Sequence, residues 1–351
     1  MTKKKNENDG MKYDYQDAAS FTRQVSSTCN PDEVLIDAFG DEFAEYRKDW
    51  YASSRFETTP KYPLELGFDI LLACNLKCIG CAFSADAEDH IYSGYKKPLP
   101  LEKFKEIVTE GYRLGLRSVY FGFLSEPTIN KNFMNYVKVA KEAGINEIWF
   151  SSNGTILSED SLDELVDIGV SRVLFSIDAA TEETYNKVRP GGDYNQLVSN
   201  LEYLIESRNR KGSKLPLIRL SFVVNSLNSD ELDPFIAQWE GKADFFSIQH
   251  FESIDDRTDE FKLIKEDEKT VPENFTCPQP NQRLFVLSNG DVFPCCTFAH
   301  MYDDEMKVGN VFENSIGEIW NIQKMKDLRK DLKNGDFAKH KLCLKCAGRG
   351  S

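Results

Sequence analysis

Six short apolar runs, separated by stretches with helical spacing, set the first constraint on this chain. The runs fall at 64–73, 118–124, 147–152, 172–177, 216–224 and 243–249. Helical spacing occupies about 101–115, 131–144, 158–169, 193–209 and 229–239 between them. Such alternation implies right-handed crossovers, with each strand returning parallel to its predecessor and helices covering the sheet. Six repeats suit a partial (β/α)6 barrel of the α/β class better than a closed eight-fold one. Side chains that carry chemistry then belong at the C-terminal ends of the strands.

Residues 1–60 read as an N-terminal extension with one clear helix. It is started by Asn30-Pro31, with Glu33 at the capping-box position, and runs through Val34, Leu35, Ala38, Phe39 and Phe43. The barrel is expected over 61–252 and an acidic linker, including Asp255, Asp256, Glu266 and Asp267, over 253–276. A smaller cysteine-bearing module is expected over 277–351. A chain of 351 residues with 41% hydrophobic content can bury cores for both parts. Its 43 Lys and Arg against 57 Asp and Glu give a net charge of −14, with no basic stripe for phosphates, so no nucleic-acid partner is expected. Met1 to Gly10 is polar and lysine-rich, and no segment approaches the ~18 apolar residues of a membrane span. The expectation is a cytoplasmic protein with no membrane partner.

Eight of the nine cysteines lie in two groups, 74, 78 and 81, then 277, 295, 296, 343 and 346, which suits metal ligands better than disulfides. The first strand, Leu64 to Ala73, delivers Cys74-Asn75-Leu76-Lys77-Cys78-Ile79-Gly80-Cys81 to its C-terminal end. Three thiolates on one loop leave one iron of a four-iron cube open, able to chelate an external amino acid and pass it an electron. The alternative, a structural zinc site, ordinarily pairs CxxC units and takes a fourth ligand.

This loop resembles the CxxxCxΦC signature of the radical S-adenosylmethionine superfamily, in which Φ is usually an aromatic residue touching adenine. Gly80 stands at Φ, and Phe83 is the aromatic expected to replace that contact. Gly122-Phe-Leu-Ser125-Glu126-Pro127 is similar to the family's GxGEP element, which implies that Glu126, with the backbone around Ser125, holds the methionine ammonium. Ser151-Ser152-Asn153-Gly154 resembles the TNG motif, whose asparagine reaches the ribose region. Ser176 and Asp178, closing the fourth strand, and Arg189 complete the implied cofactor-binding set. The serine and arginine are implied for the methionine carboxylate, which an arginine fork suits.

Cys277, twelve residues, Gly290, four residues and Cys295, followed later by Cys343-Leu-Lys-Cys346, resembles the family's C-terminal SPASM/Twitch module. The chain stops five residues after Cys346, as in the shorter Twitch form with one auxiliary cluster. Its expected ligands are Cys277, Cys295, Cys343 and Cys346, a saturated set suited to electron transfer. The resemblance thus implies an α+β Twitch-like domain after the barrel, and as cofactors two [4Fe-4S] clusters with S-adenosyl-L-methionine. A flavodoxin or ferredoxin is the implied reductant. Gly290 to Cys295 reads as a hairpin strand and Ile316 to Leu332 as helix.

The implied reaction is reductive cleavage of S-adenosylmethionine to a 5′-deoxyadenosyl radical, which takes hydrogen from substrate. The expected substrate is a small sugar or polyol, oxidised or epimerised, since residues 1–60 leave little room for a leader-peptide-binding domain. The alternative is a peptide- or protein-modifying maturase. Cys296, beside an expected ligand, is the candidate thiol hydrogen donor. Arg219 shares a polar face of the fifth strand with Ser221 and Asn225 and is the candidate substrate contact, because polar groups on an apolar strand are expensive unless used.

Overall fold

The computed structural model describes residues 22–26, 29–81, 83, 96–251, 261, 275–296 and 306–347. The chain begins with β1 (Thr22–Ser26), α1 (Pro31–Phe39) and α2 (Asp41–Ser54). Alternation then sets in with β2 (Glu65–Asp69), α3 (Leu101–Leu114), β3 (Ser118–Phe121), α4 (Phe133–Glu142), β4 (Glu147–Ser152) and α5 (Glu159–Ile168). It continues through β5 (Arg172–Ser176), α6 (Glu182–Val188), α7 (Tyr194–Arg210), β6 (Leu217–Val224), α8 (Leu232–Trp239) and β7 (Phe245–His250). The C-terminal part comprises α9 (Gln279–Gln282), β8 (Arg283–Leu287), β9 (Asp291–Phe293), β10 (Gly309–Asn310), α10 (Ile316–Asn321), α11 (Gln323–Lys333) and α12 (Lys341–Ala347). The acidic linker lies almost wholly outside the described residues.

All strands join one sheet in the order β1-β7-β6-β5-β4-β3-β2-β8-β9-β10. From β2 to β7 each pairing is parallel, as helical crossovers require. This is the partial barrel expected of the alternation. Period-2 side-chain direction divides it. Val119, Phe121, Ile148, Phe150, Val173, Phe175, Ile218, Leu220 and Phe222 are fully buried in one core with helix residues such as Phe104, Leu162, Leu201 and Phe235. Each such side chain contributes about 1.5–3 kcal/mol of burial. The opposite strand face lines the barrel interior.

The N-terminal extension departs from the sequence reading, and it also supplies β1, which pairs antiparallel with β7. The N-terminal helix does not run through to Phe43: Gly40, at φ +75, ends α1 and α2 starts afresh. The cysteine-bearing module continues the barrel sheet: β8 pairs in parallel with β2 along Glu65–Asp69, and β9 then turns back antiparallel.

Helix α2 closes the N-terminal end of the barrel. Its Tyr46 hydroxyl donates to Glu147 Oε2 at 2.7 Å, Glu147 pairs with Arg172, and Glu65 pairs with Arg283 at 3.3 Å. Buried charges need such partners. Leu35, Phe43, Trp50, Leu217 and Phe245 pack with Tyr46 in one apolar cluster at this end.

Candidate active site

A cavity of about 250 Å³ sits at the C-terminal ends of β2 to β7. Its lining unites Cys74, Cys78, Cys81, Ser125, Glu126, Asn153, Ser176, Asp178 and Arg189, residues spread over more than a hundred positions of sequence. Val223, Asn225 and Phe251 complete the far wall.

The cysteine loop is fixed by backbone pairing. Lys77 N–H donates to Pro190 O at 2.8 Å and Ile79 N–H to Val188 O at 3.2 Å, tying the loop to the turn that carries Arg189. Burial pushes the Cys74 thiol up to about 12 and raises Cys78 as well. Arg189 Nη1 lies 3.6 Å from Cys78 Sγ while its Nη2 pairs with Asp178. Burial disfavours the guanidinium charge, but Asp178 and Cys78 outweigh it and hold Arg189 more firmly protonated than usual. Asp178 itself sits at φ +60, its Oδ1 accepting from Val223 N–H at 2.7 Å.

The loop after β3 is held from below. Gly122 has φ +81, and a Cβ there would meet Pro127 Cδ at 2.6 Å and Ser151 O at 2.7 Å, so the backbone passes where no side chain fits. Glu126 is 3% exposed. Its Oε1 accepts from Thr128 Oγ1 (2.6 Å) and Ser152 Oγ (2.9 Å), and its Oε2 from Asn153 N–H (2.7 Å). Glu126 thus joins the ends of β3 and β4. Asn153 Nδ2 in turn donates to Asn75 Oδ1 at 2.8 Å, so this asparagine links the end of β4 to the cysteine loop.

Sequence reasoning missed Asp69, the last residue of β2. It accepts from Leu124 N–H and Ser125 N–H, both at 3.0 Å, and from the Ser125 hydroxyl. The available signal is a carboxylate at the C-terminal end of the strand that delivers Cys74. Two expected side chains lie elsewhere. Arg219 faces the barrel interior but donates to Ser247 Oγ at 2.5 Å, four residues before Val223, and is not in the cavity lining. Phe83 packs against the cluster of Leu72, Leu124 and Phe285, also outside that lining.

The second cysteine group assembles beside the barrel. Cys277 and Cys343 pack with Phe275, Leu328 and Phe337, while Cys295 and Cys296 pack with Phe285, Leu287 and Phe293. Cys343 and Cys346 are one turn apart on α12. Burial raises the Cys277 thiol, and Cys346, Cys343 and Cys296 lie within electrostatic reach of it. Cys296 also lies within such reach of Tyr120 in the barrel wall.

The family model of the radical SAM superfamily matches residues 70–222, and that of the SPASM iron–sulfur cluster-binding domain matches residues 277–347. The chain is 26% identical over 303 residues to the tungsten-containing aldehyde ferredoxin oxidoreductase cofactor-modifying protein of Pyrococcus furiosus, covering 74% of this chain and 81% of that one. It is 28% identical over 183 residues to the mycofactocin maturase MftC of Mycolicibacterium smegmatis, covering 52% of this chain and 43% of that one. Among solved structures, Streptococcus suis SuiB bound to S-adenosylmethionine shares the fold at a TM-score of 0.62 and 17% identity, over 82% of this chain and 71% of SuiB. No helix among the described residues is long and apolar enough to cross a membrane.

Proposed function

The chain belongs to the radical SAM superfamily and carries a C-terminal SPASM module, and on that premise we propose that it oxidises or epimerises a small hydroxylated substrate, sugar-like or polyol. Its domains bring S-adenosylmethionine and two iron–sulfur clusters as cofactors. The observation that carries the reading is the single cavity in which three thiols, a buried carboxylate and an arginine meet. Soft thiol donors beside an arginine and polar strand ends fit a cluster and an amino-acid ligand. When bound, these groups supply a 5′-deoxyadenosyl radical able to take hydrogen from carbon and, at the second cluster, an electron sink.

Cys74, Cys78 and Cys81 are the proposed ligands of the first cluster. The raised thiols of Cys74 and Cys78 favour the protonated form, so ligation must release those protons, with Arg189 adding positive charge beside Cys78. Asp178 pins Arg189 by one arm of its fork and orients the guanidinium for the methionine carboxylate. Glu126, through Asn153 N–H and Ser152, fixes the backbone that receives the ammonium. Cys277, Cys295, Cys343 and Cys346 are the proposed second set. Cys296, between that set and Tyr120, is the proposed hydrogen donor of an epimerisation. The hydroxyl of Ser151 and the amide of Asn225 in the wall support a polyhydroxyl substrate.

A second reading, a maturase acting on a cofactor, peptide or protein, is favoured by the similarity to the cofactor-modifying protein of Pyrococcus furiosus, which aligns over 81% of its length. Protein reconstituted with iron and sulfide and reduced by dithionite is expected to form 5′-deoxyadenosine from S-adenosylmethionine. Sugars and polyols should then be consumed and peptides left intact. With about eight irons bound, no nucleoside product would sink both readings.

A further inference from the structure

The aromatic side chain missing from the cysteine loop has a counterpart far along the chain. A Cβ built on Gly80 would lie 2.0 Å from Cε2 and 2.9 Å from Cδ2 of Phe251. Contacts that short are excluded, so the Phe251 ring occupies the space a side chain at position 80 would need. Phe251 is the first residue past β7 and is 6% exposed. Its N–H donates to Val224 O at 2.8 Å, and its ring meets that of Phe261 edge-on, with centroids 6.3 Å apart. The same ring lines the cavity with the three cysteines. A flat apolar ring in a cavity wall is a face on which an adenine can stack.

We propose that Phe251 is the adenine platform of this site and that Gly80 and Phe251 form one exchanged pair. The ring has moved from the cysteine loop to the end of β7, and glycine at 80 is what admits it. The pair fills one ring's volume once, so an aromatic residue at 80 and Phe251 cannot coexist without displacing the cysteine loop. The proposal assigns the adenine contact to Phe251 instead of Phe83, and it rests on reading the cavity as the S-adenosylmethionine site.

The test is equilibrium binding to the reconstituted holoenzyme, without turnover. Phe251→Ala is expected to weaken S-adenosylmethionine and S-adenosylhomocysteine about ten- to a hundredfold, the scale of a lost base-stacking contact. Iron content should not change, and Phe251→Tyr, which keeps the ring, should bind within about threefold of the parent. Gly80→Phe alone should lose both affinity and thermal stability, and the double variant Gly80→Phe/Phe251→Ala should regain binding. If Phe251→Ala does not fold, Phe251→Leu keeps apolar volume without the ring face and must show the same loss at an unchanged melting temperature. Parent-like affinity in the folded alanine or leucine variant, or a double variant no better than Phe251→Ala, overturns the proposal. A parent protein that binds no S-adenosylmethionine overturns the site reading itself.

Discussion

At the end of β2, Asp69 is 1% exposed and holds the loop from Leu124 to Ser125 by accepting hydrogen bonds from both amides and the serine hydroxyl. Burial pushes its carboxyl up to about 7 against those donors. An aspartate in an unfolded chain loses its proton near pH 4. Between about pH 4 and 7 the native state therefore keeps a proton that the unfolded chain has released. Stability from this group falls as pH rises through that window, by at most about 1.4 kcal/mol per unit, and then levels off. Asp69→Asn cannot titrate, so its melting temperature should vary less between pH 5 and 7 than the parent's. It should also lose about 1–3 kcal/mol, because the amide turns a donor toward one of the N–H groups. Thermal melts across this range decide the matter, and equal slopes in the two proteins would count against Asp69.

The loop between β3 and α4 shows how an element can depend on a residue that has no side chain. Gly122→Ala places a methyl group at φ +81 against Pro127 and the Ser151 carbonyl, so the loop must lift or the strand end must move. A cost of about 1–3 kcal/mol is expected from the strained backbone. Calorimetric titration should show S-adenosylmethionine binding weakened at least tenfold, because Ser125 and Glu126 ride on the same loop. Parent-like affinity would mean that the loop tolerates the shift. At this scale the sequence was readable where burial repeats regularly. The six barrel strands declare themselves because Val119, Phe121, Ile148 and Phe150 must all face the same helices. Helix α2 was merged into α1, since Gly40 breaks a pattern whose apolar spacing continues to Phe43. β1 leaves no signal in the sequence, and β8 falls inside the expected cysteine-bearing module. Its run Arg283–Leu287 is buried throughout, which says that it is covered but not that its neighbour is β2, more than two hundred residues earlier. The motifs likewise marked which strand ends form the site. They could not reveal that Phe251 fills the space over Gly80, because only the closed sheet brings those positions together.

Across the whole molecule, the pairing of β8 with β2 sets the second cysteine group beside the strand that delivers the first. The two sets nevertheless depend on different elements. Cys74, Cys78 and Cys81 are held by the β2 loop and the turn at Val188–Pro190. Cys343 and Cys346 sit on α12, with Cys343 packed against the cluster of Phe337, Leu332 and Leu328. Losing two thiolates from α12 should therefore empty one site and leave the other loaded. Cys343→Ser/Cys346→Ser is expected to fall from about eight irons per chain to about four, since hydroxyls do not replace soft thiolate ligands. Formation of 5′-deoxyadenosine without substrate should persist within about twofold, because no residue of the cavity wall has changed. Net oxidation of a substrate should drop far more, because its radical then lacks an electron acceptor beside the barrel. Iron analysis, nucleoside yield and product yield on the same preparation separate the outcomes. Eight irons retained would remove Cys343 and Cys346 from the ligand set, and loss of nucleoside formation would mean that the two sites do not load independently.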